Sequence, residues 1–252
     1  MLPNLNIPPV KLFGPLELHA FGFLVAVAVF LGFYLGKRRA ANVGLDPNIC
    51  ASGITWGVFT GFIFAHWVSA IFYFPERIAA DPLYLLKFWD GISSFGGFVG
   101  GILGVYLYLR RMNVSYLDYI EAMLFGLVPA WVIGRLACTI AFDHPGLPTN
   151  FILGMMDEQG VVRHNLGLYE MLAALVLTGL LYLLKNVRPF RGFHCALVML
   201  FYAPVRFLWD SLRIADKTYL GLTPGQYFSI IMGVAAMGWM VVGLAKFLRS
   251  RE

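Results

Sequence analysis

YIEAMLFGLVPAWVIGRLACTIAF, residues 119–142, followed at once by DHPG, residues 143–146, decides how the whole chain is read. The run is long enough to cross a hydrocarbon core of about 30 Å, yet it carries Arg135 near its end. An arginine in hydrocarbon costs roughly 2.5–3.5 kcal/mol on insertion scales, so one that persists is expected to face a polar cavity and an anion. Arg206 lies in a second apolar run in the same way. Two guanidinium groups at membrane depth, with Asp143, His144 and Asp210 close by in sequence, suggest a site for a phosphate-bearing ligand, because the guanidinium fork matches phosphate oxygens in pairs.

The rest of the chain fits a membrane setting. Of its 252 residues 59% are hydrophobic and only 13% charged, too apolar for an ordinary soluble domain. Apolar stretches near residues 21–36, 49–74, 92–109, 119–142, 168–184, 192–209 and 226–248 predict an all-α, polytopic membrane protein with seven transmembrane helices. No linker, low-complexity tract or repeat interrupts it, so residues 1–252 read as a single membrane-embedded domain.

The basic residues set the expected orientation. Lys37, Arg38 and Arg39 follow the first stretch, Arg110 and Arg111 the third, Lys185, Arg188 and Arg191 the fifth, and Lys246, Arg249 and Arg251 the last. These hold most of the 19 basic residues, which predicts an N-terminus outside and a C-terminus in the cytoplasm. The net charge of +5 then reads as topology and attraction to membrane lipids, with no support for nucleic-acid binding. The basic cluster follows the first apolar run instead of preceding it, so residues 1–18 are expected to stay on the chain and lie along the outer membrane surface. Cys50, Cys138 and Cys195 have no paired spacing, and neither a disulfide framework, a metal site nor a cofactor is expected.

In that orientation the long connections, residues 75–91, 143–167 and 211–225, all fall on the outer face, where loops are expected to carry function. The third stretch opens Gly96-Gly97-Phe98-Val99-Gly100-Gly101, with Gly104 beyond, which puts glycines four apart on one helical face. Such spacing reads first as a packing seam that lets helices approach closely in lipid, and second as a smooth wall for acyl chains.

Four ordered motifs carry a resemblance. Asp81-Pro82-Leu83-Tyr84-Leu85-Leu86-Lys87-Phe88-Trp89-Asp90-Gly91, followed by Ser94-Phe95 and the glycines, resembles a segment of bacterial prolipoprotein diacylglyceryl transferases. Residues 134–146 look like the signature of that family, which begins Gly-Arg and ends Glu-x-x-Gly. Arg163-His164 leading to Leu168-Tyr169-Glu170 is similar to the family's Arg-His-Pro-Ser-Gln-Leu-Tyr-Glu, and Tyr202, Arg206, Asp210 and Arg213 fall on the spacing of its Tyr, Arg, Glu and Arg. The resemblance covers most of the chain. It implies a multi-pass enzyme of the bacterial inner (plasma) membrane, with no cofactor. Such an enzyme transfers a diacylglyceryl group from phosphatidylglycerol to the thiol of the lipobox cysteine in a prolipoprotein signal peptide.

The departures from the family pattern are as informative. Gly96 stands where the family carries a functionally important His after Ser-Phe, Cys138 and Ala141 replace two Asn, and Asp143 replaces Glu. Phe21 takes the place of a Tyr, and His66 that of an arginine. The arginines of the phosphate pocket are kept while part of the acid/base apparatus is not.

The reaction implied by the resemblance needs a cationic pocket for the phosphate, a base for the thiol and an apolar lateral opening. Arg135 and Arg206 are the candidates for the pocket, with Tyr202, Asp210 and Gly146 completing the substrate-binding set. His144 oriented by Asp143 is the first candidate for the base and His164 the second. Plainer readings stand beside these. His144 could anchor an Asp-His-Pro-Gly turn, Arg206 could belong to an exposed ladder with Asp210 and Arg213, and Cys138 reads as a small buried residue. His66 and His194 read as helix-to-helix hydrogen bonds. Two other functions remain compatible with the departures: a paralogue acting on another lipid acceptor, and a non-enzymatic lipid-binding or transport protein.

Overall fold

The computed structural model describes residues 2–3, 7–13, 16–88, 90–91, 93–157, 159–214 and 218–251; Trp89 of the first motif lies outside them. β1 (Val10–Phe13) pairs antiparallel with β2 (Leu16–Leu18), with Val10 opposite Leu18 and Lys11 opposite Glu17. There follow α1 (Ala20–Asn42), α2 (Pro47–Tyr73), the short α3 (Pro75–Ala80), a 3-10 turn (Pro82–Leu86), α4 (Ser94–Arg111) and α5 (Tyr116–Ala141). Strands β3 (Pro145–Pro148), β4 (Met155–Met156) and β5 (Val162–Asn165) form a small antiparallel sheet in the order β3-β5-β4. The chain ends with α6 (Leu166–Leu183), α7 (Phe193–Asp210) and α8 (Pro224–Arg249).

Each expected span coincides with a long helix. Among the described residues five of them, α1, α2, α5, α6 and α8, are long and apolar enough to cross a membrane. In the other two, each 18 residues long, glycine, histidine or charged residues take up part of the helix. α4 spends positions on its glycine stripe and ends in Arg110 and Arg111, and α7 carries His194, Arg206 and Asp210. The two small sheets are an addition to the all-helical expectation. They form where the sequence offers short extended runs broken by Pro and Gly, and the second of them organises the connection from α5 to α6.

The chain divides into two compact units, Gly36–Met123 and the combination of Met1–Leu35 with Leu124–Glu252. In the first, α2 and α4 pack along the glycine stripe. A Cβ on Gly100 would stand 2.6 Å from Thr60 O and one on Gly61 3.1 Å from Gly97 O, so the backbones approach as only glycine allows. Thr60 Oγ1 donates across the seam to Gly100 O at 2.8 Å. The stripe is a packing seam, the first of its two readings. Gly96 shares that crowding: a Cβ there would lie 2.7 Å from Val68 Cβ and closer still to Phe64 O. His66 is fully buried and ties the 84–91 loop to α2 through Tyr84 O (2.9 Å) and Gly91 O (3.1 Å).

The second unit has its apolar centre at Phe125, Val128, Leu177 and Leu181. Pro129 interrupts α5 and leaves the carbonyl of Phe125 without its helical donor. The Tyr182 hydroxyl donates to that carbonyl at 3.0 Å, as a polar group inside an apolar bundle requires. α8 starts at a capping box in which Thr223 and Gln226 satisfy each other's backbone N–H groups.

Candidate active site

The site is built where the last turns of α5 meet the first turn of α6. Asn165 caps α6 by accepting from Leu168 N (3.1 Å), and its amide donates to Thr139 O of α5 (3.0 Å). Gly167 lets the two helix ends touch, since a Cβ there would stand 2.9 Å from Thr139 N. This clamp turns Glu170, in the first turns of α6, toward Arg135 of α5.

Glu170 then meets two arginines. Arg135 Nη2 lies 2.6 Å from its Oε2, and Arg206 Nη1 of α7 lies 2.9 Å from its Oε1. Arg206 Nη2 also reaches Asp210 Oδ1 at 3.1 Å, and Arg213 Nε reaches the same oxygen at 3.3 Å. The Thr223 hydroxyl donates to Asp210 Oδ2 from the start of α8. The Glu170 and Asp210 side chains are 4% and 1% exposed, burial that carboxylates tolerate only when paired. Three guanidinium groups converge on these two carboxylates, and Arg135 and Arg206 meet at one of them; guanidinium groups of this kind also bind phosphate oxygens in pairs. The ladder of Arg206, Asp210 and Arg213 exists, but as part of a buried network anchored on α6 and α8.

Tyr202 lies one turn before Arg206 and packs edge-on against Trp131 of α5, with ring centroids 4.6 Å apart. Gly146 lies where the loop after α5 crosses the segment after α7. It bridges Arg213, Leu147 N donates to Leu212 O at 2.8 Å, and a Cβ on Gly146 would stand 2.9 Å from both His164 Cβ and Leu212 O. Gly146 therefore serves the site by permitting this crossing, which holds the 143–146 loop beside Arg213.

His144 and Asp143 are paired, Nδ1 to Oδ1, at 2.5 Å. The chain reverses just before them at Phe142, whose φ of 50° lies in the left-handed region, and the reversal brings both back to Cys138. Among the described residues Cys138, Asp143 and His144 are the group whose donor atoms all lie within 4.8 Å of one another. Cys138 is partly buried. A cavity of about 470 Å³ opens nearby, lined by His19, Phe21, Ile140, Phe142, Asp157 and Arg163 among others. In it Arg163 Nε donates to Asp157 Oδ2 at 2.6 Å, and that hydrogen bond holds the Asp157 carboxyl below its ordinary range.

His164 has different company. Its Nδ1 lies 2.7 Å from the Tyr169 hydroxyl, and burial pushes its pKa down, which favours neutral imidazole. With Phe151, Leu172, Val176, Phe201 and Trp209 it lines an apolar groove of about 560 Å³ along α6 and α7.

The structure thus brings Arg135, Arg206 and Asp210 into one network and sets the Asp143–His144 pair at the end of the helix that carries Arg135. It leaves His164 with Tyr169. In the sequence Glu170 stands out only as part of a motif, and Thr223 belongs to none of the four. The signal for Glu170 was present, because a carboxylate in an apolar run calls for a cation by the same rule that singled out the arginines. Thr223-Pro224-Gly225-Gln226 was legible as a helix start.

Comparison with known proteins covers almost the whole chain. The family model described as prolipoprotein diacylglyceryl transferase matches residues 9–242. Relatives named phosphatidylglycerol--prolipoprotein diacylglyceryl transferase include one from Chromohalobacter salexigens, 29% identical over 96% of this chain and 94% of its own length. Those of Photorhabdus laumondii subsp. laumondii and Shigella boydii serotype 4 are each 30% identical, over 95% and 93% of this chain and 92% of their own length.

Proposed function

The chain belongs to the prolipoprotein diacylglyceryl transferase family, and we propose that it transfers the diacylglyceryl group of phosphatidylglycerol to the lipobox cysteine of a prolipoprotein signal peptide. It is a transferase of lipoprotein biosynthesis and a multi-pass membrane protein. In this reading all seven long helices span the bacterial inner membrane as one domain, with the N-terminus outside and the C-terminus in the cytoplasm. The reaction then takes place in the outer leaflet.

The observation that carries the reading is the buried network in which Glu170 holds Arg135 and Arg206 side by side and Asp210 holds Arg206 and Arg213. Arg135 and Arg206 receive the lipid phosphate, with the Tyr202 hydroxyl beside Arg206. The thiol gives up its proton at the Asp143–His144 pair, and the thiolate attacks the glyceryl carbon that bears the phosphate oxygen. As the C–O bond breaks, negative charge collects on the departing glycerol phosphate. Guanidinium groups fixed in advance by buried carboxylates stabilise that charge without having to reorganise. Asp210, held by Thr223, and Gly146, which permits the loop crossing, act by positioning.

The test is direct. The purified full-length chain, given phosphatidylglycerol vesicles and a lipobox peptide with one cysteine, is expected to yield thioether-linked peptide and glycerol phosphate in equal amounts. Lipid binding without either product would sink the reading and leave a lipid-binding or transport protein; products with another acceptor only would point to a paralogue.

A further inference from the structure

The sequence departures from the family pattern meet in space. Cys138, which replaces an Asn, and Asp143, which replaces a Glu, are brought together with His144 by the left-handed turn at Phe142. Thiolate, carboxylate and imidazole are zinc donors at about 2.0–2.3 Å, and in a tetrahedron such donors stand roughly 3.3–3.8 Å apart. Here the three donor atoms already lie within 4.8 Å of one another, and His144 Nδ1 and Asp143 Oδ1 touch at 2.5 Å. Side-chain exposures of 30% for His144 and 35% for Asp143 leave them room to adjust by about 1 Å around an ion of that bond length. Three protein ligands leave the fourth position open, the arrangement of zinc sites that act on a substrate.

We propose that Cys138, Asp143 and His144 hold a Zn²⁺ ion whose fourth position takes the acceptor thiol as thiolate. The proposal rests on the transferase reading and deepens it. With the ion in place His144 serves as a ligand, and zinc takes over the activation of the thiol. The chain has Gly96 where the family carries a His, and α2 leaves no room for a side chain there, so activation of the thiol falls to other residues.

On coordination the acceptor S–H releases its proton to water, since a metal-bound thiol is deprotonated. The sulfur lone pair forms the S–C bond to the glyceryl carbon. The C–O bond breaks with its electron pair going to the phosphate oxygen, and glycerol phosphate leaves at the arginines. Arg135 stands one helical turn before Cys138 on the same face of α5. Zinc is neither oxidised nor reduced, and the product thioether, a neutral and weaker ligand, gives way to the next thiol.

The experiment uses the full-length chain purified in detergent. Zinc is expected in stoichiometric amount in the wild type and lost in Cys138→Asn, the residue of the family pattern. After exchange with Co²⁺ the wild type is expected to show a thiolate-to-cobalt charge-transfer band, absent in Cys138→Asn and altered when the lipobox peptide is added. Full transfer by chain stripped of zinc would overturn the proposal and leave the transferase reading standing, as would a cobalt band that ignores the peptide. A band that responds to the peptide while no metal loading gives transfer would support the thiol-binding metal site and overturn the transferase reading instead.

Discussion

Glu170 stands between Arg135 and Arg206 and gives one carboxylate oxygen to each, at 2.6 and 2.9 Å. Two like charges from α5 and α7 are thereby held side by side, which without the carboxylate they would resist. The bridge fixes both guanidinium groups in place.

Replacing Glu170 by Gln is therefore expected to damage stability and turnover together. Removing one partner of a buried ion pair costs about 3–5 kcal/mol, and here two arginines lose the same partner. A lower melting temperature in detergent and at least a tenfold fall in turnover are expected. A variant with wild-type values for both would show that the arginines keep their places unaided.

Arg135→Ala is expected to lower turnover by about 10²–10³, the loss typical of removing one donor to a developing oxyanion, with membrane insertion unchanged. Arg135→Lys is expected to recover little, because an ammonium lacks the planar fork whose fixed N–H groups reach Glu170 on one side and a phosphate oxygen on the other. Product release from phosphatidylglycerol vesicles measures both. Wild-type rates in Arg135→Ala would remove this residue from the site.

The two candidate histidines separate by substitution. His144→Ala is expected to abolish transfer while phosphatidylglycerol still binds, since the ring pairs with Asp143 and the phosphate is assigned to Arg135 and Arg206. His164→Gln is expected to retain most of the rate, because that ring is spent on the Tyr169 hydroxyl. Rate constants with saturating peptide decide it, and the opposite ranking would move the base to His164.

His164 also predicts a pH dependence of stability. Its pKa is lowered in the folded chain by burial, so folding disfavours its charged form. The unfolded chain binds the proton first, beginning near the ordinary histidine value of about 6.5, and stability should fall as pH drops below that value toward the lower folded one. Thermal melts across this window should decline for the wild type and be flatter for His164→Gln; parallel curves would refute the assignment.

Gly96→His, which restores the family residue, is expected to disrupt packing instead of raising activity. A side chain there collides with Phe64 and Val68 of α2, and overpacking of this kind costs about 1–3 kcal/mol. Melting temperature and turnover should both fall, and a gain in turnover would show that α2 yields easily.

The sequence alone determined the helices, their approximate bounds, the membrane setting and the family, because each is written in local composition, in apolar runs and in motifs of fixed order. It also marked Arg135 and Arg206, since a charge in an apolar run stands out from its neighbours. Only the tertiary structure decided what those charges meet. Glu170 is 36 positions from Arg206, on another helix, and no periodicity links them; the Asn165 cap and the Gly167 contact orient it. Likewise Cys138 lies on a helix and His144 beyond it, and the spacing of cysteines gave no hint of their meeting. The left-handed turn at Phe142 brings them together, and crowding at Gly96 follows from two backbones packed closer than a Cβ allows. Helix formation is a local property of the chain, whereas ion pairing and donor clustering depend on where separate segments come to rest.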